Sequence, residues 1–446
     1  HDLVNFLSEK PSKEELSQKL FQLGHEHEIH GDIFDMEFTP NRGDCLSLKG
    51  LSRDLGTFYG SLNSIDLFDG DIKPLQINFE NLSPKDCPKI SFLEIEIEDS
   101  KVKYKKYLEN YFNTIGGSKT NLFSDISNYI SYELGQPTHC YDREAIKNKL
   151  TFENKECNST FKTLLNSEVA LKDSNCVFSI DGEIISLAGI MGGASTACSA
   201  NTKKVLVECA YFNPESIIGK SVQYNLISDA AYKFERGVDI ASQEMVLRRF
   251  VKVTQDHAKI KSIKLKSFHE NHKKSFVIPI DVNKINKILG TSLESDEYLR
   301  HLKDLGFKIS DKIEVPSYRH DIETNNDLAE EIARVIGYNN IKSVPIKLNK
   351  ITNESNDDKV AKLESLLVNN GFTEVINFPF TSKKEKGSIN IDNPLDSNRS
   401  SFRTSLRDSL ISNLLYNERR QKESIKLFEI SDIYTKDKKI KKQKKL

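Results

Sequence analysis

Two polar segments divide this 446-residue chain, HENHKKS at 269–275 and TNESNDDK at 352–359. Neither segment contains an aliphatic or aromatic hydrophobic residue, so neither can contribute to a folded core. A chain of this length is expected to form about three domains, each with a core of its own. We therefore interpret both segments as linkers and predict a multidomain protein.

Helix and strand patterns alternate along the chain outside these linkers. Residues 12–23, SKEELSQKLFQL, place apolar residues at helical spacing and precede Gly24, a signal that ends helices. The segment ISFLEIEIE at 90–98 alternates apolar and polar residues, as a strand does. After the first linker come helical VNKINKILG and DEYLRHLKDLGF, the strand KIEVPS and helical DLAEEIARVIGY. This mixture predicts an α+β fold in several domains.

The composition limits the classes of function. Charged residues make up 29% of the chain, but the net charge is −1, so a nucleic-acid contact must use a local basic patch. No apolar run approaches the about 18 residues of a membrane helix, and the N-terminus has no signal-peptide pattern. The seven cysteines form no CxxC pair, which favours the reducing cytoplasm over a disulfide framework or a zinc site. We expect a cytoplasmic protein without a membrane segment.

Two stretches place polar residues in patterns typical of functional sites. ELGQPTHCYD at 133–142 puts His139 on a polar turn, although a lone histidine there more often holds its own loop. In RHDIETNNDLAEEIARVIGY, Asp327, Glu330 and Glu331 share one helix face, and Asp321 precedes them on the strand-to-helix turn. Four carboxylates suit Mg²⁺, which prefers oxygen ligands. Asp327 as N-cap with Glu330 three residues later equally fits a capping arrangement, so both interpretations stay open.

Seven stretches, in order along nearly the whole chain, resemble the β subunit of bacterial phenylalanyl-tRNA synthetase. They are FTPNRGDCLSLKGLSRDLGTFYG, SDISNYISYELGQPTHCYD, LAGIMGG, VLVECAYFNP, DAAYKFERGVD, VPSYRHDIETNNDLAEEIARVIGYNNI and NPLDSNRSSFRTSL. One such stretch would be a weak signal, whereas seven in the family's order are a strong one.

The resemblance implies four regions. Residues 1–75 resemble an N-terminal α/β domain, and 85–268 a mixed α/β editing domain of the B3/B4 type. Residues 276–346 resemble a small winged-helix-like, putative-DNA-binding-like B5 domain, and 355–446 a degenerate class II synthetase domain with an antiparallel sheet. Two parts of the family pattern are missing. The OB-fold tRNA-binding module inserted after the first helix is absent, and the chain stops before the C-terminal anticodon-binding domain.

The resemblance also implies an editing pocket that hydrolyses tyrosine attached by mistake to the tRNA. Such a pocket is needed because an apolar site for phenylalanine cannot strongly reject a ligand that merely adds a hydroxyl. Glu208 matches the position that accepts the phenol hydroxyl, while His139 and Asn128 match positions near the ester, where they hold water or the terminal ribose. The other matches form the pocket wall and are Gly189, Gly192, Gly193, Ser228, Asp229 and Ala230.

Purely structural interpretations of these residues stay open at this point. Glu208 also fits an outward-facing charge on a strand, and the glycines also fit a tight turn. The family usually has Thr where Ser228 stands, so a looser fit is expected. Cys140 has no evident base partner and is expected to pack as a small residue.

For the whole chain, the resemblance implies the β subunit of an α₂β₂ phenylalanine–tRNA ligase. In that family the α subunit carries aminoacylation with ATP and Mg²⁺, and β contributes proofreading, contacts to tRNA-Phe and the subunit interface. A magnesium site shared with α falls on the matching positions Asp321, Asp327, Glu330 and Glu331. In the synthetase-like domain, where the β copy is inactive, Arg403 is expected to be structural and not to bind ATP.

Two other functions compete with this interpretation, a stand-alone trans-editing hydrolase and an RNA-binding scaffold that has lost editing. The metal-bearing and synthetase-like segments argue against the first. The presence of Glu208 and His139 argues against the second.

Overall fold

The computed structural model describes residues 2–60, 65–269, 276–345, 359–437 and 439–446. The chain divides into two compact units, residues 1–344 and 345–446. Almost all of both predicted linkers, 270–275 and 352–358, lies outside the described residues. The protein is a mixed α/β multidomain chain with several separate sheets, as the sequence predicts. None of the described helices is long and apolar enough to cross a membrane.

The N-terminal region combines two helices with a β-hairpin. Its elements are α1 Lys13–Gln22, β1 Glu26–His30, β2 Ile33–Glu37 and α2 Leu48–Tyr59. The two helices bury their leucines in one small core. In the antiparallel hairpin, His30 lies opposite Ile33, so the turn consists of Gly31 and Asp32, with Gly31 at φ 63°. The strands therefore join directly, with nothing inserted where the family places its OB-fold module.

Residues 73–269 form the largest region. Its strands are β3 Lys73–Pro74, β4 Phe79–Asn81, β5 Lys89–Ile97, β6 His139–Asp142, β7 Leu150–Glu156, β8 Ser159–Lys162, β9 Glu168–Leu171, β10 Ser174–Ile180, β11 Glu183–Leu187, β12 Met191–Gly192, β13 Lys204–Tyr211 and β14 Ile260–His269. Its helices are α3 Lys106–Ile115, α4 Leu122–Leu134, α5 Pro214–Ile217, α6 Lys220–Gln223, α7 Asp229–Arg236 and α8 Gln243–His257.

Two five-stranded sheets organise this region. Sheet I has the order β12-β11-β10-β7-β4, and sheet II has the order β3-β14-β5-β13-β6. Successive side chains of β13 alternate between two cores: Leu206 and Ala210 belong to a core shared by both sheets, and Val205 and Val207 to a core shared with α4 and α8. Because β13 is covered on both faces, it reads as a nearly continuous apolar run, and its single acidic side chain is buried.

The third region holds a small sheet and three helices. Its elements are β15 Val277–Pro279, α9 Val282–Leu289, α10 Ser295–Asp304, β16 Lys308–Ile309, β17 Lys312–Glu314 and α11 Asn325–Ile336. The strand order is β15-β17-β16. The three helices and the strand predicted for this stretch from the apolar pattern are all present.

The second compact unit contains short strand pairs and two helices. Its elements are α12 Lys359–Asn369, β18 Thr373–Glu374, β19 Phe380–Thr381, β20 Ser401–Phe402, α13 Arg407–Glu418, β21 Leu427–Phe428, β22 Ser431–Lys436 and β23 Ile440–Lys445. β19 pairs with β20 and β22 with β23 in antiparallel fashion, whereas β18 and β21 are parallel. Arg403 is buried and donates to Glu429 Oε1 at 2.7 Å, a contact internal to this unit.

Candidate functional site

Glu208 on β13 and His139 on β6 lie directly opposite each other in sheet II. Directly opposite residues of an antiparallel pair project from the same face of the sheet. Tyr141 on β6 and Leu206 on β13 form the neighbouring opposite pair, and both belong to the core shared by the two sheets. The carboxylate and the imidazole therefore share the face of sheet II that packs toward sheet I.

Glu208 is a buried carboxylate with one internal partner. The side chain has 5% relative exposure, and the Tyr141 hydroxyl donates a hydrogen bond to its Oε2 at 2.7 Å. Burial raises the pKa of Glu208 to about 7, because an apolar surrounding disfavours the charged form, although the bond from Tyr141 partly lowers it. Its charge at neutral pH is therefore set by small changes in its surroundings, a property typical of functional carboxyl groups.

His139 is held by packing and not by hydrogen bonds. Its ring meets the Tyr141 ring edge to face, with 4.4 Å between centroids. No hydrogen bond joins either ring nitrogen to another residue in the part of the chain that the structure describes. Burial lowers the pKa of His139 to about 4, so the imidazole is neutral at pH 7. A neutral imidazole has one donor and one acceptor, and both are available here to water or to a ligand.

The turn before His139 is attached to helix α4. Ser127 donates to the Thr138 carbonyl at 2.6 Å, and the hydroxyls of these two residues share a bond of 2.8 Å. Gln136 donates to the Ala210 carbonyl at 3.0 Å, which ties the same turn to β13. Asn128 follows Ser127 on α4, and its side chain is exposed. Asn128 is thus the sequence neighbour of the residue that anchors the turn, and no hydrogen bond joins it to Glu208 among the described residues.

Each of the three predicted pocket glycines is required for a different local reason. A Cβ at Gly192 would lie 2.3 Å from His139 Cε1, so this residue must lack a side chain for the imidazole to keep its place. At Gly193 a Cβ would lie 2.4 Å from the Ile185 carbonyl oxygen, and at Gly189, where φ is 71°, it would lie 3.0 Å from the Phe212 ring. Gly192 therefore borders His139, whereas the other two allow close packing of the protein itself.

Ser228 joins helix α7 to the glycine-rich turn. Its hydroxyl accepts from the Ala231 N–H at 3.1 Å, which caps the helix, and donates to the Ile190 carbonyl at 2.9 Å. Ala230 packs against the core shared by the sheets, while Asp229 is exposed. Both hydrogen-bonding roles of Ser228 require the hydroxyl that Ser and Thr have in common.

Three of the four predicted magnesium ligands have protein partners. Arg319 binds Asp321 with two hydrogen bonds of 2.9 Å and Glu331 with two of 2.7 Å. Asp327 accepts from the Thr324 N–H at 2.7 Å in a capping box, so the N-cap of α11 is Thr324 and not Asp327. Glu330 is exposed on the same helix. Binding of Mg²⁺ by all four residues therefore stays a prediction, and it would require Arg319 to release Asp321 and Glu331.

Sequence reasoning missed a buried ion network between α11 and the N-terminal region. Arg334 donates to Asp54 Oδ2 at 2.9 Å, and Arg42 donates to Asp54 Oδ1 at 3.0 Å. His25, Cys45 and Asp54 bring ligand atoms within 4.8 Å of one another, the spacing of a metal site. Because both guanidinium groups already bind Asp54, added positive charge is repelled there, and we do not assign a metal to this group.

Three family models match successive parts of the chain. The B3/4 domain matches residues 87–259, the tRNA synthetase B5 domain 278–338, and the phenylalanyl tRNA synthetase beta chain CLM domain 342–446. The first match contains both Glu208 and His139, and the second contains all four carboxylates discussed above.

Curated relatives agree with these matches. The phenylalanine–tRNA ligase beta subunit of Pseudoalteromonas translucida is 29% identical over 430 residues, covering 90% of this chain and 53% of the relative. That of Photorhabdus laumondii is 27% identical, covering 89% and 52%. An N-terminal fragment of the phenylalanyl-tRNA synthetase beta subunit from Pyrococcus horikoshii matches at 15% identity with a TM-score of 0.41, covering 75% of this chain and 97% of the fragment. The chain spans about half the length of the curated relatives it matches, and it belongs to the phenylalanyl-tRNA synthetase β-subunit family.

Proposed function

We propose that this chain hydrolyses tyrosine mistakenly esterified to tRNA-Phe, using a site between Glu208 and His139. The observation that carries the proposal is a buried carboxylate directly opposite a neutral imidazole with free ring nitrogens. A carboxylate accepts the phenol hydroxyl that distinguishes tyrosine from phenylalanine. A neutral histidine positions water, or the terminal ribose, at the ester end without forming a covalent intermediate.

Two substitutions test the separate roles. Glu208→Ala should mainly erase the preference for Tyr-tRNA over Phe-tRNA, since a bond to a charged acceptor is worth roughly 1.5–3 kcal/mol, about ten- to a hundredfold. His139→Ala should slow hydrolysis of both esters, by up to about a hundredfold if the imidazole transfers protons and by less if it only positions water. Deacylation rates of the two purified aminoacyl-tRNAs separate these effects. Rates untouched by His139→Ala would reduce the histidine to a structural role.

We further propose that the chain is the β subunit of a cytoplasmic phenylalanine–tRNA ligase that acts with an α subunit in an α₂β₂ heterotetramer. The support is the similarity to phenylalanine–tRNA ligase beta subunits and the CLM match over the second unit. In such a complex α would carry aminoacylation with ATP. Co-expression with α followed by sizing should give a heterotetramer that charges tRNA-Phe with phenylalanine. A monomeric chain with full charging activity would contradict this proposal.

Magnesium enters this proposal as the ion that accompanies ATP. A second magnesium site at Asp321, Asp327, Glu330 and Glu331 remains part of the proposal, and it would require Arg319 to release Asp321 and Glu331.

The alternatives make different predictions in the same assays. A trans-editing hydrolase would deacylate Tyr-tRNA without charging in the presence of α. A scaffold without editing activity would support charging and leave Tyr-tRNA intact.

A further inference from the structure

The Glu208 carboxylate is divided between two environments. Its Oε2 accepts the hydrogen bond from Tyr141, a side chain with 0% exposure. Its Oε1 accepts no hydrogen bond from the described residues, yet it is not among the fully enclosed polar atoms that lack a partner. Oε1 is therefore not completely enclosed, whereas Oε2 is occupied from within the protein.

We infer that Tyr141 is a specificity-determining residue that acts through Glu208: its phenol occupies Oε2, fixes the carboxylate and directs Oε1 to the phenol of the bound ester. This inference rests on the editing function proposed above and deepens it. Tyr141 is itself a tyrosine, so the carboxylate would bind one phenol of the protein and one of the ligand. It is a positioning residue and has no contact with the ester.

The chemistry of two phenols on one carboxyl group favours the ionised form. Each phenol donates its O–H, and a carboxylate offers two charged acceptor oxygens and no donor, whereas a protonated acid is a weaker acceptor that carries a donor on one oxygen. The bond from Tyr141 stabilises the charged form against burial. No lysine or arginine in the described part of the chain forms an ion pair with Glu208. The titratable groups near it are uncharged at neutral pH. His139, Tyr141 and Cys87 lie on its side of sheet II, and Cys140 and Cys209 belong to the core on the other face.

Tyr141→Phe is the direct test, because it removes one oxygen and keeps the ring. In single-turnover assays with the full chain in excess, the ratio of Tyr-tRNA to Phe-tRNA hydrolysis is measured from pH 5.5 to about pH 9. The ratio cancels the hydroxide dependence that both esters share. In the unsubstituted protein the ratio should rise through a step near pH 7, where Glu208 ionises.

The substitution should lower this ratio about three- to tenfold at pH 7. It should also move the step to higher pH, since loss of the bond to the charged form raises the pKa of Glu208. Glu208→Gln, which cannot ionise, should abolish the step. Tyr104→Phe is the matched control. The Tyr104 hydroxyl donates to Asp125 at the same distance of 2.7 Å, but the side chain packs against the core on the other face of sheet II.

A second variant guards against misfolding. Fluorine placed beside the Tyr141 hydroxyl keeps the ring and the bond but makes the phenol a stronger donor, so the step should move to lower pH. If neither Tyr141 variant moves the step or the ratio while Glu208→Gln does, the inference is wrong and the editing function stands. If the unsubstituted protein hydrolyses neither ester, the editing function itself fails.

Discussion

Glu331 provides a sharp test of whether the α11 carboxylates hold an ion network or a metal. Both oxygens of its buried carboxylate accept a hydrogen bond from Arg319 at 2.7 Å, and one of them also accepts from Arg334 Nη2 at 2.6 Å. These guanidinium groups hold the pKa of Glu331 well below its ordinary value despite burial, which by itself would raise it. Glu331→Gln keeps the size of the side chain and removes its charge, so it isolates the electrostatic contribution.

The expected loss in the free energy of unfolding depends on which carboxylate partner each arginine keeps. Removing one partner of a buried ion pair costs about 3–5 kcal/mol, because the remaining charge is left uncompensated. Arg319 keeps Asp321 and Arg334 keeps Asp54, so we expect the lower end, about 3 kcal/mol. Glu330→Gln is the matched control, since the same change one residue earlier falls on an exposed side chain and should stay within about 0.5 kcal/mol.

The assay is urea unfolding of the full chain at pH 7, with and without magnesium. Hydrogen exchange of residues 325–336 identifies the transition that belongs to α11, because two compact units need not unfold together. A folded-state pKa below the unfolded one means that the stabilisation by Glu331 is present above the ordinary glutamate pKa and is lost as pH falls toward the lowered value. Equal stability of the two variants would refute the ion-network argument. A loss seen only with magnesium present would favour the metal.

Three further predictions follow from other features. An OB-fold module inserted between Gly31 and Asp32 should steepen the dependence of tRNA binding on salt, through added phosphate contacts, and an unchanged slope would count against it. His139→Gln should reduce the loss of stability between pH 6.5 and pH 4, because the pKa of about 4 means that acid forces a charge onto a half-buried, neutral ring. Urea titrations at both pH values check this. Gly193→Ala should lower stability by about 1–3 kcal/mol, measured by thermal unfolding, since its Cβ would lie 2.4 Å from a carbonyl oxygen. Gly117→Ala is the control and should lower stability less, because its Cβ would meet the flexible Ile115 side chain at 3.1 Å.

Local elements could be predicted from the sequence, because their signals lie within one turn or strand. The apolar spacing at 12–23 and in DLAEEIARVIGY reappears as α1 and α11, and the alternation at 90–98 reappears as β5. Helix starts are less certain: two capping arrangements compete at α11, and Thr324, not Asp327, is its N-cap.

The long-range pairings could not be predicted from local patterns. Tyr141 and Glu208 are 67 positions apart, and their contact depends on the register between β6 and β13. Arg334 and Asp54 are separated by 280 positions, and no local pattern links them. The family resemblance predicts an editing site at Glu208 and His139. It gave no indication that one oxygen of Glu208 is already occupied.

The two-residue turn between β1 and β2 has an evolutionary consequence. The strand ends His30 and Ile33 are paired neighbours, so a folded domain whose own termini lie close together can be spliced in or removed at Gly31–Asp32 without disturbing either strand. A domain inserted at this turn would therefore leave the paired residues of β1 and β2 in place. Tight hairpins of this kind are sites at which a multidomain protein can gain or lose a domain.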